Sequence, residues 1–307
     1  MNSLVSLHGW LTLLMGAALL VALGGQQWHP AGALSVAILV AGVALLGLPH
    51  GAFDHLTGIR LIRHWLPGRA VGIWLGLFLL VYVLLSAALL WGWRQSPAAA
   101  LTLFLLLSAA HFGTDWRGRQ PLWLRLCWGA LVIAAPFAWR PGEVGQVVRA
   151  LAVADPAAFT RAGMFIFTLV GLVVLCRLRW LWRHARGTLM AMAMLVIGAI
   201  VLNPLIYFAC YFCCFHSPLH LSAIRREFGL TSRARAVGMA APIVIVTWVG
   251  ASIGYAWMSQ QAIASPLLKT TFIGLACLTV PHMIVEWLGS RDARRSLVST
   301  RPLHRQS

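Results

Sequence analysis

Ten stretches of mostly apolar residues follow one another along the chain, at roughly 4–23, 31–50, 70–92, 97–115, 122–139, 160–176, 188–202, 205–224, 236–258 and 266–288. Most are close to the ~20 residues that a helix needs to cross a bilayer core about 30 Å thick. Lipid offers no partner for backbone N–H and C=O groups, so a chain of this kind must bond them within each segment, as helices. The expected fold is therefore all-α: a polytopic transmembrane helical bundle forming one integral-membrane domain over residues 1–307. The seventh and eighth stretches are separated only by Asn203-Pro204, so nine spans is the alternative count. Residues 4–23 lack a basic n-region and read as a retained span rather than a signal peptide. The stretch 140–160 carries Arg140, Glu143, Arg149 and Asp155 and reads as a short interfacial helix.

Charge fixes an orientation. The chain has 24 Lys and Arg against 7 Asp and Glu, a net +17. No loop is long enough to form a nucleic-acid-binding module, so nucleic acid is not an expected partner. With the N-terminus inside, 19 of the 24 basic residues fall on inner loops and the C-terminal tail; Arg94, Arg140, Arg149, Arg161 and Lys269 fall outside. This predicts an N-in/C-in, multi-pass protein of the inner (plasma) membrane, its basic loops resting on anionic lipid. The six cysteines show no disulfide spacing. Cys210, Cys213 and Cys214 stand close to His216 and could be thiolate ligands, but read as small packing residues.

Ionisable side chains inside spans mark functional sites. The stretch Leu205–Ile224 carries His216 and His220, four residues apart. Counted at 1.5 Å per residue from the outer ends, His216 and His220 lie about 17 and 23 Å deep, His111 about 21, His282 about 24 and His50 about 28 Å. All five occupy the inner half of the bilayer, from four different spans. A shared level is what ligands of one ion require. Three of these histidines are followed four residues later by an acid: Asp54, Asp115 and Glu286. Chance placement of 7 acids after 11 histidines gives roughly 0.25 such pairs. A ligating imidazole commonly donates its other N–H to a carboxylate, so each acid is expected to hold the imidazole that precedes it. Pro49, Pro218 and Pro281 are expected to distort the helices locally.

Neutral imidazoles suit Fe, Zn, Cu or Ni, and an all-histidine set with open positions suits redox iron or hydrolytic zinc. HExxH is absent, and seven acids leave little for a carboxylate-bridged di-iron pair. A single iron is the preferred reading. His55 could approach from the inner interface; His8, His29, His64, His184 and His304 lie near span ends or in loops and tails. Three other readings stand beside it. A metal or proton transporter would space its histidines along the membrane normal. A haem-binding electron carrier would pair them on facing helices. A histidine-rich desaturase would need about eight ligands, against five here.

The motifs GLPHGAFDH (47–55), SAAHFGTDW (108–116), CFHSPLH (214–220) and TVPHMIVEW (279–287) resemble, in order and separation, those of the Brp/Blh family of membrane β-carotene 15,15′-dioxygenases. The resemblance covers about residues 31–290. It implies a non-haem Fe(2+) held by His50, His111, His216 and His220 as the catalytic set. His282 would be a further ligand or a group behind the ligands, with Asp54, Asp115 and Glu286 beside the centre. It also implies cleavage of the central C15=C15′ bond of β-carotene by O2, giving two all-trans-retinal, with retinal hand-off to a rhodopsin as a possible onward step. Trp91, Phe112, Trp116, Tyr207, Phe208, Tyr211, Phe212, Phe215 and Trp287 are candidate walls of a polyene tunnel.

Overall fold

The structure, a computed structural model, describes residues 33–116, 120–261 and 263–299. Among these the regular elements are all helical: α1 Ala33–Trp65, α2 Val71–Gln95, α3 Pro97–Trp116, α4 Leu122–Trp139, α5 Pro141–Ala150, α6 Pro156–Cys176, α7 Leu178–His184, α8 Arg186–Val201, α9 204–227, α10 Arg233–Gln260 and α11 Pro266–Ser299. Each predicted span from 31–50 onward overlies a helix; the span at 4–23 lies outside the described residues.

Seven described helices are long and apolar enough to cross a membrane, or eight if the bent pair α7–α8 counts as one span. The break in that pair is 119°. α2 shows why the surrounding medium matters. None of its most apolar window is buried inside the protein, and Ile73, Val83 and Leu84 point outward. A helix apolar on every face and exposed on most of them is stable only in a hydrocarbon solvent.

Proline and asparagine punctuate the chain, at Asn203-Pro204 as expected and at other helix starts as well. Pro97, Pro141, Pro156 and Pro204 each open a helix, where a missing N–H costs nothing. Asn203 caps α9, its side-chain oxygen accepting from the Leu205 N–H. This makes Asn203-Pro204 a true boundary, with α8 and α9 separate helices. A short helix expected within 140–160 is present as α5, held by the Arg140–Glu143 ion pair and by Asn203 donating to Glu143.

The core runs between α3, α4, α8 and α9, and α3 and α4 approach unusually closely. A Cβ on Gly129 of α4 would fall 2.6 Å from the Gly113 nitrogen of α3 and closer still to the Ala109 carbonyl oxygen. Only glycine permits that approach, and it sets the position of the end of α3, where His111 sits.

Candidate metal centre

Two departures from α-helical geometry place the histidines. α1 passes from α-helix through a π segment, Val43–Gly47, into a 3-10 segment, Leu48–Phe53, which carries His50. α9 has a matching π segment, Phe212–His216. π segments release carbonyl groups from the helix ladder, and such groups need other donors. In α1 they find them. Ala44 O accepts from Trp248 Nε1 at 3.2 Å, Leu46 O from the Ser217 hydroxyl, and Gly47 O from His50 Nδ1. The bare face of Gly47 admits the Phe212 ring, so the two π segments lie against each other.

The structure brings His50, His111, His216, His220 and His282 together, with ring centroids 4.4–6.1 Å apart among the contacting pairs. His50, His111, His216 and His282 are buried. The expected common level of these residues is thus a common centre. His55 instead bonds the Ala52 carbonyl, His64 meets Asp292, and His184 stacks on Trp180. His8, His29 and His304 lie outside the described residues.

The carboxylates are beside the centre, but their partners differ from the expectation. Asp54 accepts from His282 Nδ1 at 2.9 Å, not from His50. Asp115 accepts from His216 Nδ1 and His220 Nε2, each at 2.9 Å, not from His111. Glu286 lies 3.2 Å from His111 Nδ1. Every one of these bonds crosses between helices. For the first two acids the cause is local geometry. Four residues span about 400° of α-helix, which returns to nearly the same face, but about 480° of 3-10 helix, which does not. Asp54 follows the 3-10 segment bearing His50, and Asp115 lies in the 3-10 turn Gly113–Trp116 after His111. Tyrosines add two donors that the sequence did not flag in this role. Tyr211 OH donates to Asp115 at 2.6 Å and Tyr82 OH to Asp54 at 3.1 Å.

Carbonyl and ionised carboxylate oxygens only accept, so Nδ1 carries the proton in His50, His111, His216 and His282. Their Nε2 atoms are then lone-pair donors to whatever fills the centre. His111 Nε2 and His216 Nε2 face each other at 3.1 Å. Two lone pairs at that distance repel unless a proton or a metal cation lies between them. Imidazole nitrogens bound at right angles to one ion, each about 2.1 Å from it, stand about 3 Å apart. Donor atoms of His50, His111 and His216 all lie within 4.8 Å of one another. Asp54 and Asp115, both buried, meet no Lys or Arg among the described residues, so a divalent cation would also offset their charge. The donor set fits a metal ion.

Two further groupings, His111–His220–Glu286 and Asp115–His216–His220, are equally tight, but each contains a carboxylate already engaged with imidazole N–H groups. His220 differs from the other four. Its Nε2 is turned to Asp115, and its Nδ1 lies 3.8 Å from Glu286. No cysteine of the described residues joins a metal-type group, and Cys213 packs beside Gly42, as a small core residue does.

Phe112 and Phe212 wall the centre, with ring centroids 4.9 and 5.5 Å from that of His216. Beyond Phe112 and Tyr211 opens an apolar cavity of about 100 Å³, which Leu101, Phe104, Tyr207 and Phe208 help to line and α5 borders through Val144 and Val148. Of the other expected tunnel residues, Trp116 and Phe215 stack on each other in the core, whereas Trp91 and Trp287 point outward at 66% and 53% exposure.

Fold and site together define a class: an all-helical protein with several membrane-length spans and a buried imidazole centre backed by carboxylates, suited to a metal. Within that class the chain belongs to the β-carotene 15,15′-dioxygenase family, whose sequence profile matches residues 41–289. It is 32% identical over 260 residues to the β-carotene 15,15′-dioxygenase of the uncultured marine bacterium 66A03, covering 79% of this chain and 90% of that protein. It is 25% identical over 327 residues to the probable β-carotene 15,15′-dioxygenase Blh of Halobacterium salinarum, covering 91% of this chain and 90% of that protein. No solved structure matches significantly.

Proposed function

We propose that the protein is a membrane β-carotene 15,15′-dioxygenase, breaking the central C15=C15′ bond so that each new aldehyde takes one atom of O2 and two all-trans-retinal leave. The reading rests above all on the His111–His216 pair, whose Nε2 atoms meet at 3.1 Å while both Nδ1 protons are directed at carboxylates. His50, His111 and His216 would hold Fe(2+), with a further imidazole from His220 or His282. Ferrous iron would supply the capacity to activate O2, and a set of four imidazoles would leave it one or two positions for O2.

The protein's own residues do the rest. Asp115, Glu286 and the Gly47 carbonyl fix the tautomer and tilt of His216, His111 and His50. Phe112 and Phe212 keep water from the reacting bond. The apolar cavity beside Phe112 and Tyr211 offers a dry surface to the polyene. An apolar substrate dissolves in the bilayer and can enter sideways between helices, and retinal can leave by the same medium to a rhodopsin. The orientation that goes with this is ten spans, N-in/C-in, in the inner membrane. It follows from the 19-to-5 split of basic residues.

Expression in bacterial cells that accumulate β-carotene tests the activity. Loss of colour with accumulation of retinal is the expected result; retained colour in cells with well-inserted protein contradicts it.

A further inference from the structure

The family resemblance makes His220, four residues after His216, the fourth ligand, but the hydrogen bonds divide the five imidazoles differently. In His50, His111, His216 and His282, Nδ1 faces an oxygen and Nε2 is given to no oxygen. In His220, Nε2 itself is spent on Asp115. His282 is the extreme case of the first kind. It is 6% exposed, Asp54 holds its Nδ1, and its buried Nε2 has no hydrogen-bond partner. A buried imidazole nitrogen without a partner is costly unless a ligand takes it. Its ring stands edge-on to His50 and His111, with centroids 5.1 and 5.5 Å away.

We infer that His282, not His220, completes the imidazole set, and that His220 is a positioning residue lying between Asp115 and Glu286. The inference rests on the iron centre proposed above. His282 lies outside the 4.8 Å grouping of His50, His111 and His216, so its ring must move inward to share their ion. The preceding residue allows this, because Pro281 has no N–H and interrupts the ladder of α11 at that point. Asp54 would then act through His282, with the Tyr82 hydroxyl holding the carboxylate from the other side. His220, by donating to Asp115, would keep that carboxylate aligned on His216 Nδ1.

The test is iron retained per chain in the purified, detergent-solubilised protein after a fixed challenge with chelator, for wild type and for His216→Ala, His282→Gln, His220→Gln and Asp54→Asn. Glutamine can still donate an N–H to Asp115 but does not replace an imidazole at an ion. His282→Gln is expected to lose at least tenfold of its iron, as His216→Ala does, while His220→Gln stays within about threefold of wild type. Asp54→Asn, which leaves His282 in place, is expected to weaken iron binding about 10–100-fold. It serves as the readout if His282→Gln does not insert. Wild-type retention by His282→Gln or by Asp54→Asn, or loss by His220→Gln equal to that of His216→Ala, overturns the assignment. Full retention by His216→Ala is a separate result: it removes the iron centre itself.

Discussion

Gly129→Ala changes a residue that touches none of the histidines, yet it should dismantle the centre. The new methyl would sit 2.6 Å from the Gly113 nitrogen and closer to the Ala109 oxygen, both backbone atoms of α3 that cannot rotate away. Restoring ordinary van der Waals contact with the nearer atom, the Ala109 oxygen, requires α3 and α4 to part by roughly 1.5 Å. His111 lies between those two contact points, two residues from each. Its Nε2 is 3.1 Å from that of His216, and metal–ligand distances tolerate only about ±0.2 Å. The displacement therefore exceeds the tolerance about sevenfold. Overpacking of this kind costs about 1–3 kcal/mol, and a backbone contact belongs at the upper end. The assay is thermal unfolding in detergent together with iron per chain. A lowered Tm and loss of most of the iron are expected; a wild-type Tm with full iron would refute the close approach and the dependence of His111 upon it.

Three further outcomes are expected. Asp115→Asn leaves one acceptor oxygen facing the donors His216, His220 and Tyr211, so at least one meets an amide NH2. The cost of about 1–3 kcal/mol corresponds to roughly 5–150-fold weaker metal binding in a chelator-competition titration, and a change under twofold would contradict the orienting role. Alanine at His50, His111 or His216 should abolish retinal formation in inserted protein, measured by chromatography of cell extracts; full activity in any of them would remove that residue from the ligand set. Val148→Phe narrows the apolar cavity without touching the centre, so KM for β-carotene should rise several-fold with iron content unchanged. An unchanged KM would mean that the substrate does not use this cavity.

Much of the architecture was legible because its cause is local. Apolar length decides where a helix can cross lipid, and proline and asparagine mark where several of them begin. The convergence of His50, His111, His216, His220 and His282 was legible from depth alone, since span order and rise per residue place them at one level. Their pairing was not. Spacing of four residues speaks only of neighbours on one α-helix, and the 3-10 segments after Gly47 and at Gly113 turned Asp54 and Asp115 toward other helices. Pro49 hinted at irregular backbone beside His50, but not at its phase. Tyr82 carried no signal, because only tertiary packing brings α2 to Asp54. Trp91 and Trp287, candidate tunnel walls, face outward instead, as aromatic residues of a lipid-facing surface do.

Metal analysis with X-ray absorption on the purified protein addresses the core claim directly. Close to one iron per chain is expected, with a nitrogen-rich inner shell and the multiple-scattering pattern of several imidazole rings. Absence of bound metal, or a haem Soret band in place of that pattern, would contradict the account.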